Sequence, residues 1–119
     1  MMLIQRGEIY FVELGPTRGK ELDVKRRPVV VLSIDEINMK PLVVTVIPGG
    51  TRFADKHVFR HEVQVEPADS NGLSRPTIFQ CFQIKALDHS RFDRDPAGVI
   101  SVEDLQKIEQ TVKLCLGLP

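Results

Sequence analysis

Pro28-Val29-Val30-Val31-Leu32-Ser33, entered through Arg26-Arg27, is the stretch on which the fold turns. A short, continuous β-branched run marks a strand buried on both faces. Pro28 suits its first position, where no ladder donor is required. On the N-terminal side, Arg6 to Leu14 (RGEIYFVEL) sets Ile9 and Phe11 on one face and Glu8 and Tyr10 on the other, until Gly15-Pro16 breaks the alternation. On the C-terminal side, Leu42 to Ile47 (LVVTVI) repeats the buried character, and Pro48-Gly49-Gly50 is expected to end it in a tight turn. Phe59 to Val65 (FRHEVQV) alternates again, with Phe59, Val63 and Val65 as inward residues. Thr77 to Leu87 (TIFQCFQIKAL) is the longest strand candidate.

The period changes at the C-terminal end. Ser101-Val102-Glu103-Asp104 has the form of a capping box, with Ser101 as N-cap and an acidic residue three positions on. Leu105, Ile108, Val112, Cys115 and Leu116 then recur at helical spacing, and Gly117 ends the helix. Strands first and one amphipathic helix last predict an α+β or mainly-β architecture, an antiparallel sheet or small barrel with one terminal helix. The 119 residues carry no repeat, low-complexity tract or rich linker, which predicts one domain over residues 1–119. Hydrophobic and charged fractions of 42% and 27% exclude a chain disordered throughout.

The formal net charge is zero, from 16 basic and 16 acidic side chains. Residues 1–61, however, hold ten basic and seven acidic side chains, a net of +3, and residues 62–119 hold six and nine, a net of −3. Two segments concentrate the positive charge. Thr17 to Arg27 (TRGKELDVKRR) has five basic and two acidic residues, and Arg52 to His61 (RFADKHVFRH) has three basic, one acidic and two histidines. Together they are expected to form a local polyanion site that the overall sum conceals.

Several chemistries are excluded by pattern. Cys81 and Cys115 are too few and too far apart for a disulfide framework or a zinc site, and Cys81 reads as an inert core thiol. Gly49-Gly50 lacks the following Gly-Lys-Ser/Thr of a phosphate-binding loop, and Gly-x-Ser-x-Gly is absent. His57 and His61 are four apart but fall in a loop and a strand start, so no metal site is expected of them. No apolar run reaches the roughly 18 residues of a membrane span. The start MMLIQRGEIYF lacks the pattern of a signal peptide, so a cytoplasmic protein is expected. The chemistry is expected to run without metal or cofactor.

Taken in series, Arg6-Gly7-Glu8-Ile9-Tyr10, Pro16-Thr17-Arg18-Gly19-Lys20-Glu21, Arg27-Pro28-Val29-Val30-Val31-Leu32-Ser33, Val46-Ile47-Pro48, Gly72-Leu73, Gln83-Ile84-Lys85 and Leu87-Asp88 resemble the MazF/PemK family of toxins from bacterial toxin–antitoxin pairs. The resemblance runs from about residue 5 to residue 117. It implies a mainly-β fold, a compact SH3-like antiparallel barrel with a C-terminal helix, paired as a homodimer. It also implies a metal-independent endoribonuclease acting on single-stranded RNA at short sequences. In that chemistry the ribose 2′-hydroxyl attacks the adjacent phosphate, leaving a 2′,3′-cyclic phosphate and a 5′-hydroxyl. A cognate antitoxin would block the RNA groove with an acidic segment.

Carried over residue by residue, the resemblance makes Arg27, of the Arg-Pro pair, the main catalytic residue. A guanidinium matches two phosphate oxygens in a planar fork and suits charge stabilisation in the transition state. Thr51 stands beside a glycine at the position of the family's catalytic threonine, and Glu21 is the candidate orienter of Arg27 or base toward the 2′-hydroxyl. Thr17, Lys20, Lys25, Arg26, Arg52, Lys56 and Arg60 are candidate RNA contacts, mostly to phosphate. His57 is a candidate backbone or base contact, and Gln83 matches the family's Gln-Ile position. With no tryptophan, and six phenylalanines in mostly core-like positions, strong base stacking is not expected. Two alternatives belong to other classes: a CcdB-like gyrase poison of similar fold, which leaves RNA intact, and a degenerate toxin-fold protein that binds RNA or antitoxin without cutting.

Overall fold

A computed structural model describes residues 3–15, 26–40, 42–51 and 57–119. In chain order the elements are β1 (Glu8–Glu13), β2 (Arg26–Val31), a single-turn helix α1 (Asp35–Asn38), β3 (Val43–Gly50), β4 (Glu62–Val65), β5 (Thr77–Gln80), β6 (Lys85–Asp88), β7 (Gly98–Val99) and α2 (Val102–Leu116). The strands pair in the order β4-β5-β3-β2-β1-β7, with β6 also on β3, and every pairing is antiparallel. The result is the mainly-β architecture with a C-terminal helix that the strand-then-helix pattern predicts, a curled sheet in the form of a half-barrel.

The curl originates at β3, and here the structure departs from expectation twice. Pro48-Gly49-Gly50 is not a turn that stops the strand. β3 runs on through Gly50, with Gly49 opposite Phe79 and Gly50 opposite Ile78. Nor is Thr77–Leu87 one long strand. A 3-10 turn at Cys81–Gln83 folds it into β5 and β6, and both return to β3. Val43–Val46 pair with β6, Gly49–Gly50 pair with β5, and Pro48 falls at the handover between them. A proline, with no amide hydrogen to give, fits a strand interior at such a gap.

The continuous apolar runs are explained by two cores, one on each face of the sheet. Ile9, Val30 and Ile47 meet Val63, Val65, Leu73, Phe79, Cys81 and Ile100, and Ile108 and Val112 of α2 close this core from outside. Tyr10, Val12, Val29, Val31, Val44 and Val46 point the other way and pack with Ile4, Leu14, Leu87 and Phe92. Tyr10 is therefore a core residue rather than the polar-face residue its alternation with Ile9 suggests. Its ring meets Phe92 edge-on at 5.2 Å, and its hydroxyl donates to Oε1 of Glu8 at 2.8 Å. Burial and the Glu8 carboxylate hold this phenol well above the usual tyrosine range.

The helix follows its predicted bounds. Ser101 Oγ accepts from the Asp104 amide at 3.1 Å, and Gly117 closes the C-terminus in the left-handed conformation. Ile108 and Val112 are buried with Leu105 and Cys115 packed against the core, whereas Leu116, in the final turn, stays exposed. The N-terminal turn is fastened to this helix and to α1. Arg6 forms an ion pair with Glu109, donates from Nε to the Leu32 carbonyl at 3.0 Å, and its amide donates to Asp35 Oδ1 at 2.6 Å. Among the described residues no helix is long and apolar enough to cross a membrane.

Candidate active site

Arg26 and Arg27 open β2, and strand geometry sends consecutive side chains to opposite faces. Arg27 lies across from Val12 of β1. The β2–β3 register, which pairs Val29 with Pro48, brings Gly50 to its other side two residues on. There the guanidinium rests against the glycine: a Cβ at position 50 would lie 3.1 Å from Nη1 of Arg27. Gly49 is closed for a different reason, since its Cβ would come within 2.8 Å of Phe79 Cδ1 and 3.0 Å of Thr77 Cγ2. The paired glycines are thus a close approach within a strand, not a flexible turn. Gly49 admits the core beneath it, and Gly50 seats the half-buried Arg27. Thr51 follows immediately, exposed at the end of β3.

Arg26 has a different role. Its Nη1 and Nη2 donate to Oδ1 and Oδ2 of Asp93 at 3.1 and 2.9 Å, and Nη1 also donates to the Phe11 carbonyl at 3.1 Å. The Asp93 carboxyl is held below its ordinary range by these hydrogen bonds from Arg26, and Arg26 is shifted upward in return. Arg91 donates to the Glu13 carbonyl at 2.9 Å at the same corner, where Glu13, Arg26, Ser90, Arg91 and Asp93 line a shallow cavity. The structure therefore does not bring Arg26 together with Arg27. Arg26 fastens β1 and β2 to the segment after β6.

Of the other residues singled out from sequence, Thr17, Lys20, Glu21, Lys25, Arg52 and Lys56 lie outside the described residues. Gln83 is half-buried in the 3-10 turn between β5 and β6. His57 is exposed, and its ring meets Phe59 edge-on at 4.7 Å. Phe59 in turn stacks on His61 at 5.5 Å and 7°, and His61 meets Phe82 edge-on at 4.7 Å. Phe59 thus separates the two imidazoles. Expected to face inward, Phe59 is 53% exposed because β4 begins only at Glu62, and Phe82 is 48% exposed on the turn. This cluster is the feature that sequence reasoning missed. The i, i+2, i+4 spacing of three rings was visible in the chain; the approach of Phe82 depends on the β4–β5 pairing.

Cys81 behaves as the pattern implies. It is fully buried, and burial pushes its thiol up to about 12, which makes a nucleophilic thiolate inaccessible near neutral pH.

With the curled sheet, terminal helix and Arg27 corner established, the comparisons with known proteins converge. Residues 5–116 match the family described as PemK-like, MazF-like toxin of type II toxin-antitoxin system, and the chain belongs to that family of toxins. Among its relatives, Endoribonuclease MazF9 of Mycobacterium tuberculosis is 32% identical over 121 residues, covering 98% of each chain. The fold is shared with MazF from Deinococcus radiodurans at a TM-score of 0.82 and 20% identity, over 99% of this chain and 100% of that one. A mycobacterial endoribonuclease solved in complex with its cognate antitoxin superposes with a TM-score of 0.75 at 21% identity, over 98% of this chain and 97% of the other.

Proposed function

We propose that this protein is a sequence-specific endoribonuclease toxin that cleaves single-stranded mRNA by attack of a ribose 2′-hydroxyl on the adjacent phosphate. The observation that carries the reading is the Arg27 guanidinium seated on Gly50 with exposed Thr51 next in the chain, in a chain 32% identical to an endoribonuclease over nearly its whole length. The O2′–P bond forms as the P–O5′ bond breaks. The 2′-hydroxyl proton passes to a base, for which the Glu21 carboxylate is the candidate, and the departing 5′-oxygen takes a proton from solvent. Negative charge accumulates on the non-bridging oxygens, where the Arg27 fork offers two parallel donors and the Thr51 hydroxyl a third. The nucleophile belongs to the substrate, so the reaction needs no metal-activated water.

Lys20, Lys25, Arg52 and Lys56 supply phosphate contacts that position the strand, with Thr17, His57 and Gln83 nearer the bases. Arg26, committed to Asp93, is assigned to the scaffold instead. The protein acts in the cytoplasm as a homodimer, restrained by an antitoxin whose acidic segment competes with RNA for the basic loops. Dimerisation is supported by the exposed apolar residues Ile34, Ile37, Met39, Leu42 and Val43 around α1 and the start of β3.

The test is digestion of a mixed single-stranded RNA pool in EDTA, followed by mapping of the 5′ ends. Discrete fragments with 5′-hydroxyl and 2′,3′-cyclic phosphate termini are expected. RNA left intact across varied sequences sinks the reading, and accumulation of gyrase–DNA cleavage complexes in its place supports the gyrase-poison alternative.

A further inference from the structure

His57, Phe59, His61 and Phe82 form an unbroken run of four rings on the surface, edge-on at 4.7 Å, parallel at 5.5 Å and edge-on again at 4.7 Å. Mutual contact orders the rings without burying them, since Phe59 and Phe82 remain 53% and 48% exposed. Two phenyl groups held in this way each keep about half their surface open to solvent. An ordered, half-open aromatic ring is a surface on which an unpaired base can stack, and such stacking tolerates sequence because every base has a π face.

Charge and position narrow the occupant. The same segment carries exposed Arg60 alongside the two imidazoles, all able to face a polyanion. The nearby acid, Glu62, is turned to the backbone, where its Oε1 accepts from the Phe59 amide at 3.0 Å. The run also lies on the strand system that builds the Arg27 corner. Gly50 pairs with Ile78 of β5, and Phe82 stands four positions farther along the same chain, which puts it no more than about 14 Å from Ile78 and about 19 Å from Gly50. A single strand held at Arg27 spans that distance in a few nucleotides.

We propose that the His57–Phe59–His61–Phe82 run is a stacking platform for unpaired bases flanking the scissile phosphodiester. This inference rests on the ribonuclease reading and extends it by assigning Phe59, His61 and Phe82 to substrate positioning. Neither phenylalanine belongs to a buried core cluster, so both can be replaced without opening a cavity.

The experiment compares the full-length wild type with Phe59→Ala, Phe82→Ala and Phe59→Tyr on a cleavable RNA oligonucleotide carrying 2-aminopurine beside the cleavage site. The wild type is expected to quench the 2-aminopurine fluorescence on binding. Each alanine variant is expected to lose most of that quench and raise KM about tenfold, with the loss falling on KM rather than kcat. Phe59→Tyr, which keeps the ring, restores both. Unchanged quench and KM in the alanine variants, with the wild type still cutting, overturns the platform and leaves the ribonuclease reading intact. A shift in oligomeric state on size-exclusion with unchanged quench overturns it in favour of a protein contact. A wild type that neither binds nor cuts any RNA of the pool removes both readings together.

Discussion

Arg26 and Arg27 are neighbours with the same side chain, yet the two corners of the sheet they serve are built on opposite terms. At the Arg26 corner a carboxylate, Asp93, and a backbone carbonyl, that of Phe11, satisfy the guanidinium directly. At the Arg27 corner the neighbouring strand offers Gly50, a position whose missing side chain is what lets the guanidinium lie there. A cation matched to a protein carboxylate has spent its charge on the scaffold. At Arg27 the strand alongside supplies room instead, through the absent Cβ of Gly50. The two arginines thus differ in what borders them, a carboxylate at Arg26 and an open backbone position at Arg27.

The comparison breaks most directly by removing the two arginines in turn. Arg27→Ala is expected to lower kcat on single-stranded RNA by a hundredfold or more, since one preorganised donor contributes roughly 3–4 kcal/mol in a transition state. Arg26→Ala should retain most of the activity under the same assay. Equal losses in the two variants would erase the distinction.

A subtler test leaves both arginines in place and alters the seats. Gly50→Ala puts a methyl 3.1 Å from Nη1, and the flexible end of Arg27 yields by a few tenths of an ångström. We expect a melting temperature close to wild type and a kcat lower by about tenfold, given the sensitivity of positioned groups to small displacements. Gly49→Ala drives its methyl to 2.8 Å from the buried Phe79 ring, which has no room to yield. Overpacking of that kind costs about 1–3 kcal/mol, more than the backbone entropy that alanine recovers, and denaturant titration will measure it. The adjacent glycines should therefore separate cleanly, one through activity and the other through stability.

The smallest effect belongs to the Asp93 pair. Its folded-state carboxyl is depressed by Arg26, so its contribution is complete above the unfolded carboxylate value of about 4 and is lost as pH falls through the lower folded value. Asp93→Asn should melt slightly below wild type at pH 7, and the gap should close below about pH 4. Asp93 is exposed and Arg26 partly so, so the difference will be small and will shrink in high salt.

What was legible in the chain divides along the same physical line. The helix, its Ser101 cap and the doubly buried β2 were readable because each rests on local period and local chemistry. The extension of β3 through Gly49-Gly50 was not, because those glycines answer to Phe79 and Arg27, contacts made only after strands distant in sequence have paired. The fold of Thr77–Leu87 into two strands was hidden for a similar reason. Its apolar pattern suits either a straight strand or one bent around a corner, and it is β3 that takes both halves as partners. Of the site, Arg27 was nameable from the Arg-Pro pair, whereas Arg26 looked equally available for RNA until Asp93, far along the chain, claimed it.

The core that packs beneath α2 draws on Ile9 at one end and Val112 at the other. During synthesis, at roughly 5–20 residues per second, Ile9, Val30 and Ile47 emerge long before the helix that covers them. The face bearing Ile9, Val30 and Ile47 therefore stays uncovered until α2 has been made, whereas Arg27, opposite Val12 and in phase with Val29 and Val31, lies on the other face, whose core needs nothing beyond Phe92.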